Sequence, residues 1–308
     1  MTATIELPSA AAATRGGQSS RRSRAGTVGL IVAAAALMAA GAACLAETWS
    51  DIGTIAWSDD ESSQVLLVPI VAAWLFWVRR ERLRGYSPSF TWAGPALIVL
   101  GWAMNQLGDK YLLQSVWHFG AVVVVVGGLI SVAGGGFLVR FLPAFASLAF
   151  LVPVPGRVRQ AIAIPLQTAT AEVTRMSLET FGADVDRIGN MLRINGRDVV
   201  VVEACNGLRM VFALTVVSFA FAYGVPLRNW IRVLIVALSP VTAIFFNVVR
   251  LVPTIWAFGE YPQAFAQTMH DASAWVMLPV AFVSLLGLMR LLRWAHVPIT
   301  PYVLAYGS

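Results

Sequence analysis

The sequence predicts an all-α polytopic membrane protein of about eight transmembrane helices, with a small extracytoplasmic helix-plus-hairpin insert. Three observations carry this expectation. Of 308 residues, 58% are hydrophobic and only 12% charged, about half the charge of an average soluble chain. Mean hydropathy is +0.72. Apolar runs of about 20 residues, the length that crosses a bilayer, recur from end to end. This composition excludes a soluble single domain and a wholly disordered chain, and 2 cysteines are too few for a secreted disulfide scaffold. The formal net charge of +6 reads as basic cytoplasmic loops rather than a nucleic-acid surface.

Taken in order, the spans are expected at 27–46, 63–79, 91–107, 112–133, 136–155, 205–224, 231–250 and 271–292. Residues 1–26 are rich in Ala, Ser and Gly and carry Arg15, Arg21, Arg22 and Arg24, which reads as a disordered basic cytoplasmic tail. The first span is expected to be a retained anchor rather than a signal peptide, because its basic leader is long and an acidic stretch from Glu47 to Glu61 follows. The transmembrane domain then covers 27–295, and 296–308 is a second tail. Arg79, Arg80, Arg82 and Arg84 follow the second span, Arg140 lies near the fifth, and Arg228 and Arg232 separate the sixth and seventh. Arg290 and Arg293 close the eighth. The positive-inside rule places both termini in the cytoplasm and puts residues 156–204 and 251–270 outside.

Residues 156–204 are the sizeable hydrophilic insert. Ile164, Leu166, Ala169, Val173, Met176 and Leu178 fall near helical spacing, predicting an amphipathic helix over 164–181 on the outer membrane surface. From Val185 to Val202 the pattern changes to short strands, and Asn195-Gly196 is a hairpin-turn signal.

Polar residues at membrane depth are costly, so each is a functional candidate. Glu203-Ala204-Cys205-Asn206-Gly207-Leu208-Arg209 opens the sixth span at its outer end. Asn247 and Arg250 lie one turn apart at the outer end of the seventh, and His270-Asp271 opens the eighth. Loop charges alone thus bring Cys205, Arg250 and His270 to one membrane face. A thiolate at a helix N-terminus is an activated nucleophile. A histidine beside it can take the thiol proton and return it to a leaving amine, and an arginine can stabilise an oxyanion. Together they suggest acyl transfer at a peptide bond. Each residue alone also has an ordinary reading: a packing thiol, a snorkelling arginine, an interfacial histidine. A Cys44–Cys205 disulfide is a further alternative. Arg209, four residues beyond Cys205, orients Glu203 or a substrate carboxylate, or pairs structurally. His118, two turns into the fourth span, is a second candidate base, although Trp117 and the Val122 to Val126 run suggest packing, and His296 falls on the opposite side. No metal site is expected from 2 cysteines and 3 scattered histidines, nor any cofactor.

The segment Glu203-Ala-Cys205-Asn206-Gly-Leu-Arg209, followed by Asn247-Val-Val-Arg250 and His270, resembles the exosortase/archaeosortase family of integral-membrane cysteine transpeptidase-like enzymes. Pro153-Val-Pro155, Ile164 to Gln167 and Gly189 to Ile194 extend the similarity upstream. The family more often has Ser where Asn206 stands, and a Gly near the place of Ala274. The resemblance implies an enzyme of the bacterial inner membrane, its active site facing outside. Its substrates would be exported proteins ending in a short motif, a transmembrane helix and a basic cluster. Cys205 would form a thioester, His270 would act as acid and base, Arg250 would stabilise charge, and a lipid or glycan acceptor would release the product. Glu203, Asn206, Arg209 and Asn247 would support the site or bind substrate. The alternatives are a peptidase using water, and a non-enzymatic membrane component of a surface-polysaccharide or transport system.

Overall fold

The computed structural model describes residues 29–294 apart from 31, 84–85, 87, 89–90, 190 and 201–206. Helices α1 (Val32–Cys44) and α2 (Ala46–Ser58) are bent by 81° at Leu45. Helices α3 (Val68–Val78), α4 (Ala93–Lys110), α5 (Gln114–Ala133), α6 (Gly135–Arg140) and α7 (Leu142–Ser147) follow. Then come α8 (Gly156–Thr180), strands β1 (Val185–Ile188), β2 (Met191–Ile194) and β3 (Arg197–Val200), and helices α9 (Leu208–Gly224), α10 (Asn229–Glu260) and α11 (Gln263–Trp294).

This is a helical multi-pass membrane protein, though its spans are less uniform than the sequence predicts. Among the described residues, α5, α10 and α11 are long and apolar enough to cross a membrane, and the bent α1–α2 pair makes a fourth candidate. Shorter apolar helices stand where the second, fifth and sixth spans were expected. The fifth is broken into α6, α7 and a 3-10 turn. Gly134 at φ +92° ends α5, and Pro143 enters the first turn of α7, where its missing N–H costs nothing. Large apolar side chains such as Ile70, Val99, Phe245 and Trp275 stay exposed, as expected where lipid is the solvent.

The site end of the molecule is built by α9, α10 and α11. Met210 and Leu214 of α9, Ala243 of α10 and Ala281 and Leu285 of α11 form one core, with Phe246 and Met277 packed against it. A second core joins Ala222 of α9, Ile231 and Ile235 of α10 and Met289 of α11. The two cores set α10 antiparallel to both α9 and α11.

The insert caps α10. β1, β2 and β3 form an antiparallel meander, and Asn195 (φ +50°) and Gly196 (φ +78°) make the two-residue turn that Ile194↔Arg197 pairing requires. Ala171 and Leu178 of α8 pack with Val185, Leu192 and Ile194 against Leu251 and Ile255 of α10. Asn195 Nδ2 donates to Glu260 at 2.5 Å, and Arg197 Nη1 to the Tyr261 carbonyl at 2.9 Å. The helix expected over 164–181 begins earlier, at Gly156, and presents two faces. The buried face of α8 carries Ala163, Thr170, Ala171, Thr174 and Leu178, whereas Ile164, Val173 and Met176 are exposed. Small residues let α8 approach α10 closely, and the large apolar ones face outward.

Candidate active site

Three of the expected site residues sit on helices longer than the sequence suggested. Residues 251–270, expected as an outer loop, are largely helical. α10 continues to Glu260 through Pro253, and α11 starts at Gln263. Asn247 and Arg250 therefore lie inside α10, fixed by helical turns on both sides. Asn247 is fully buried and Arg250 is 6% exposed, with Thr254 at 1% one turn further on. Thr254 Oγ1 donates to the Arg250 carbonyl at 2.8 Å. A guanidinium this buried is held by its surroundings and does not snorkel along the helix surface.

Gly207 forms the N-cap of α9 at φ +84°, and its carbonyl accepts from the Val211 N–H at 2.9 Å. A Cβ at Gly207 would fall 2.8 Å from Asn247 Nδ2 and 2.9 Å from Asn247 Cγ. The backbone entering α9 thus lies directly on the Asn247 side chain. Glu203, Cys205 and Asn206 lie outside the described residues, so any Cys44–Cys205 pairing does too; Cys44 is an exposed free thiol. The first helical residue of α9 is Leu208, three positions later than the expected opening at Cys205. Arg209 is in the first turn of α9 and exposed.

His270 is in the second turn of α11. Its Nδ1 lies 3.0 Å from Asp271 Oδ1, Ser273 Oγ donates to its carbonyl at 2.8 Å, and Gln267 Nε2 reaches Asp271 Oδ1 at 3.2 Å. The His270 side chain is 21% exposed. Relative to the shared core, His270 lies seven residues before Met277, about 10 Å along the axis. Arg250 lies four residues after Phe246, about 6 Å in the same direction. Gly207, Asn247, Arg250 and His270 therefore occupy one end of the three-helix bundle, with the insert beside them.

Other polar groups were less legible. His118 is fully buried, with Nε2 2.8 Å from Asp51 Oδ2, and Gln114 Nε2 donates to the same oxygen at 3.1 Å. This ties α5 to α2, a structural role consistent with the packing expected of it. Thr254 was not foreseen, since a threonine in an apolar run carries no signal of its own. Among the described residues, no group of three or more His, Cys, Asp or Glu side chains is arranged to hold a metal ion.

The model of the family described as transmembrane exosortase (Exosortase_EpsH) matches residues 56–287. The chain belongs to the transmembrane exosortase family. The match spans every element from the end of α2 to most of α11, so the exosortase region contains the whole constellation at 203–270. No curated protein and no solved structure is significantly similar to the chain.

Proposed function

We propose that this exosortase is a membrane-embedded cysteine transpeptidase acting on exported proteins that end in a sorting signal, with Cys205 as nucleophile, His270 as acid and base, and Arg250 as charge stabiliser. The observation that carries this is the gathering of Gly207, Asn247, Arg250 and His270 at one bundle end. Cys205 is two residues before Gly207, and two peptide units reach no further than about 8 Å. In sequence the thiol stands just before the amide-rich N-terminus of α9, a place that favours a thiolate.

The chemistry balances with these groups alone. His270 takes the Cys205 proton as sulfur attacks the scissile carbonyl carbon. The Arg250 guanidinium, with Asn247 beside it, stabilises the oxyanion in a water-poor site. Collapse breaks the C–N bond, His270 protonates the leaving amine, and a thioester remains on Cys205. An acceptor hydroxyl or amine then attacks, passes its proton to His270, and releases the thiol. The Asp271 carboxylate, accepting from Nδ1–H, would keep Nε2 as the proton-accepting nitrogen. Positive-inside loop charges put this end outside the inner membrane, where the motif of an exported substrate emerges.

The test is processing of a C-terminally tagged substrate in cells carrying wild-type or Cys205→Ala protein at equal membrane levels. Shortening by the wild type alone identifies thiol-dependent processing. Equal shortening by both removes Cys205 as nucleophile. The mass at the new C-terminus separates transfer from hydrolysis: an adduct indicates an acceptor, a free carboxylate indicates water. A full set of substrates left intact by both proteins would favour a non-enzymatic membrane component.

A further inference from the structure

At the arginine-rich end, opposite the site, a cavity of about 380 Å³ opens between α1, the α3–α4 connection and the end of α5. Its lining is apolar: Leu30, Ala34, Leu83, Leu129, Val132 and Phe137 among others. The rim is cationic. Arg82 Nη1 donates to the Arg140 carbonyl at 3.1 Å, and Arg140 Nη1 donates to the Arg82 carbonyl at 2.9 Å. This reciprocal clasp holds two exposed like charges together. The Arg140 guanidinium stacks over the Tyr86 ring, 4.8 Å from its centroid, and Tyr86 in turn donates to the Ala133 carbonyl at 2.6 Å. Tyr86 and Leu83 belong to the cavity wall, so the rim and the groove are one structure.

Each guanidinium spends one N–H on the other residue's backbone and has five in all, so donors remain for a ligand. An anion bound by both guanidiniums is attracted by two positive charges at once. The groove beneath is lined by apolar side chains that suit an acyl chain. We propose that this is a binding site for one anionic phospholipid, its phosphate on Arg82 and Arg140 and an acyl chain in the groove. Basic pockets between helices at the cytoplasmic leaflet suit such headgroups. The chain's own N-terminal segment is a poor occupant, because Arg15, Arg21, Arg22 and Arg24 share the sign of the rim. The site is independent of the processing chemistry and lies at the other end of the bundle.

The test uses the full-length protein in detergent, titrated with phosphatidylglycerol or phosphatidylcholine and read by native mass spectrometry as the number and affinity of bound lipids. The expected result is one phosphatidylglycerol bound in preference to phosphatidylcholine. Each rim charge is worth about fivefold in affinity, so Arg82→Gln/Arg140→Gln should weaken phosphatidylglycerol about 30-fold and leave phosphatidylcholine unchanged. Ala34→Phe, which fills the groove, should weaken both lipids. Arg290→Gln should change nothing, since Arg290 is at the same end but lines a different cavity with Leu286, Met289 and Trp294. The site is overturned if the two lipids bind equally or if the rim double variant keeps its preference. It is also overturned if Arg290→Gln has the same effect as the rim variant, which would indicate a diffuse basic face. Competition by glycerol phosphate at equal concentration would indicate an anion site without a lipid. Binding seen only after removal of residues 1–26 would make that segment the occupant. The Tm of each variant in phosphatidylcholine checks that it is folded.

Discussion

Gly207 lies against the side-chain amide of Asn247, so close that a Cβ would come within 2.8 Å of Nδ2, and it does so at φ +84°. This contact locks the start of α9 onto α10 one turn before Arg250. Gly207→Ala faces two costs: about 1–2 kcal/mol for a left-handed L-residue, and displacement of the Asn247 amide. Substrate processing is expected to fall sharply, with a modest loss of Tm. In a double-mutant cycle, Asn247→Ala removes the atoms that a Cβ would meet, so Gly207→Ala should cost less Tm in that background. Strictly additive losses would show that the contact has no energetic consequence.

Arg250 is buried to 6% exposure, which sets what a substitution there can do. Arg250→Lys keeps the charge but loses the planar fork of donors. Processing is expected to fall by about 10²-fold or more, as for loss of an oxyanion donor, while the protein still accumulates in the membrane. Near-wild-type rates for Arg250→Lys, measured as initial rates of substrate shortening, would demote the residue to a structural cation.

The His270–Asp271 contact at 3.0 Å orders two further variants. His270→Ala is expected to lose about 10²–10⁴-fold in rate, the range of general acid–base catalysis. Asp271→Asn leaves the imidazole in place but weakens the preference for Nδ1–H, so its loss should be smaller and confined to kcat. Equal losses in the two variants would mean that Asp271 does more than orient the ring.

Much of this arrangement was legible because two simple signals, span length and loop charge, place polar residues in depth. They brought Arg250 and His270 to one end before any coordinates. What they missed has physical reasons. Pro253 and Gln267 look like loop residues, yet α10 and α11 run through them because helix packing outweighs local propensity. The face by which α8 packs on α10 had no apolar stripe to read, because beside lipid small residues such as Ala171 mark a helix contact. Asp51 and His118 are 67 positions apart, and no local pattern links them.

Cys44 is exposed near the bend between α1 and α2, so thiol chemistry must separate it from Cys205. In a Cys44→Ser background, a membrane-impermeant maleimide added to intact spheroplasts is expected to label Cys205, faster than an ordinary thiol at neutral pH. Mass spectrometry of the labelled peptide reads the site. Labelling that requires permeabilised membranes would reverse the orientation drawn from the arginine loops.

The insert carries a charge cluster whose pH response has a definite sign. Hydrogen bonds from Arg175, at 2.7 Å, and Arg187, at 2.9 Å, hold the Glu172 carboxyl down at about 2, against an ordinary 4.5. Because its folded pKa is depressed, the stabilisation is fully present above pH 4.5 and is lost as pH falls through about 2. Glu172 is at the surface, so solvent screening keeps the effect small. The Tm difference between wild type and Glu172→Gln should be largest above pH 5 and shrink steadily toward pH 2.5. A difference that stays constant over that interval would mean that the Glu172 charge does not anchor β1 to α8, and that packing of Leu178 with Val185 and Leu192 holds the insert alone.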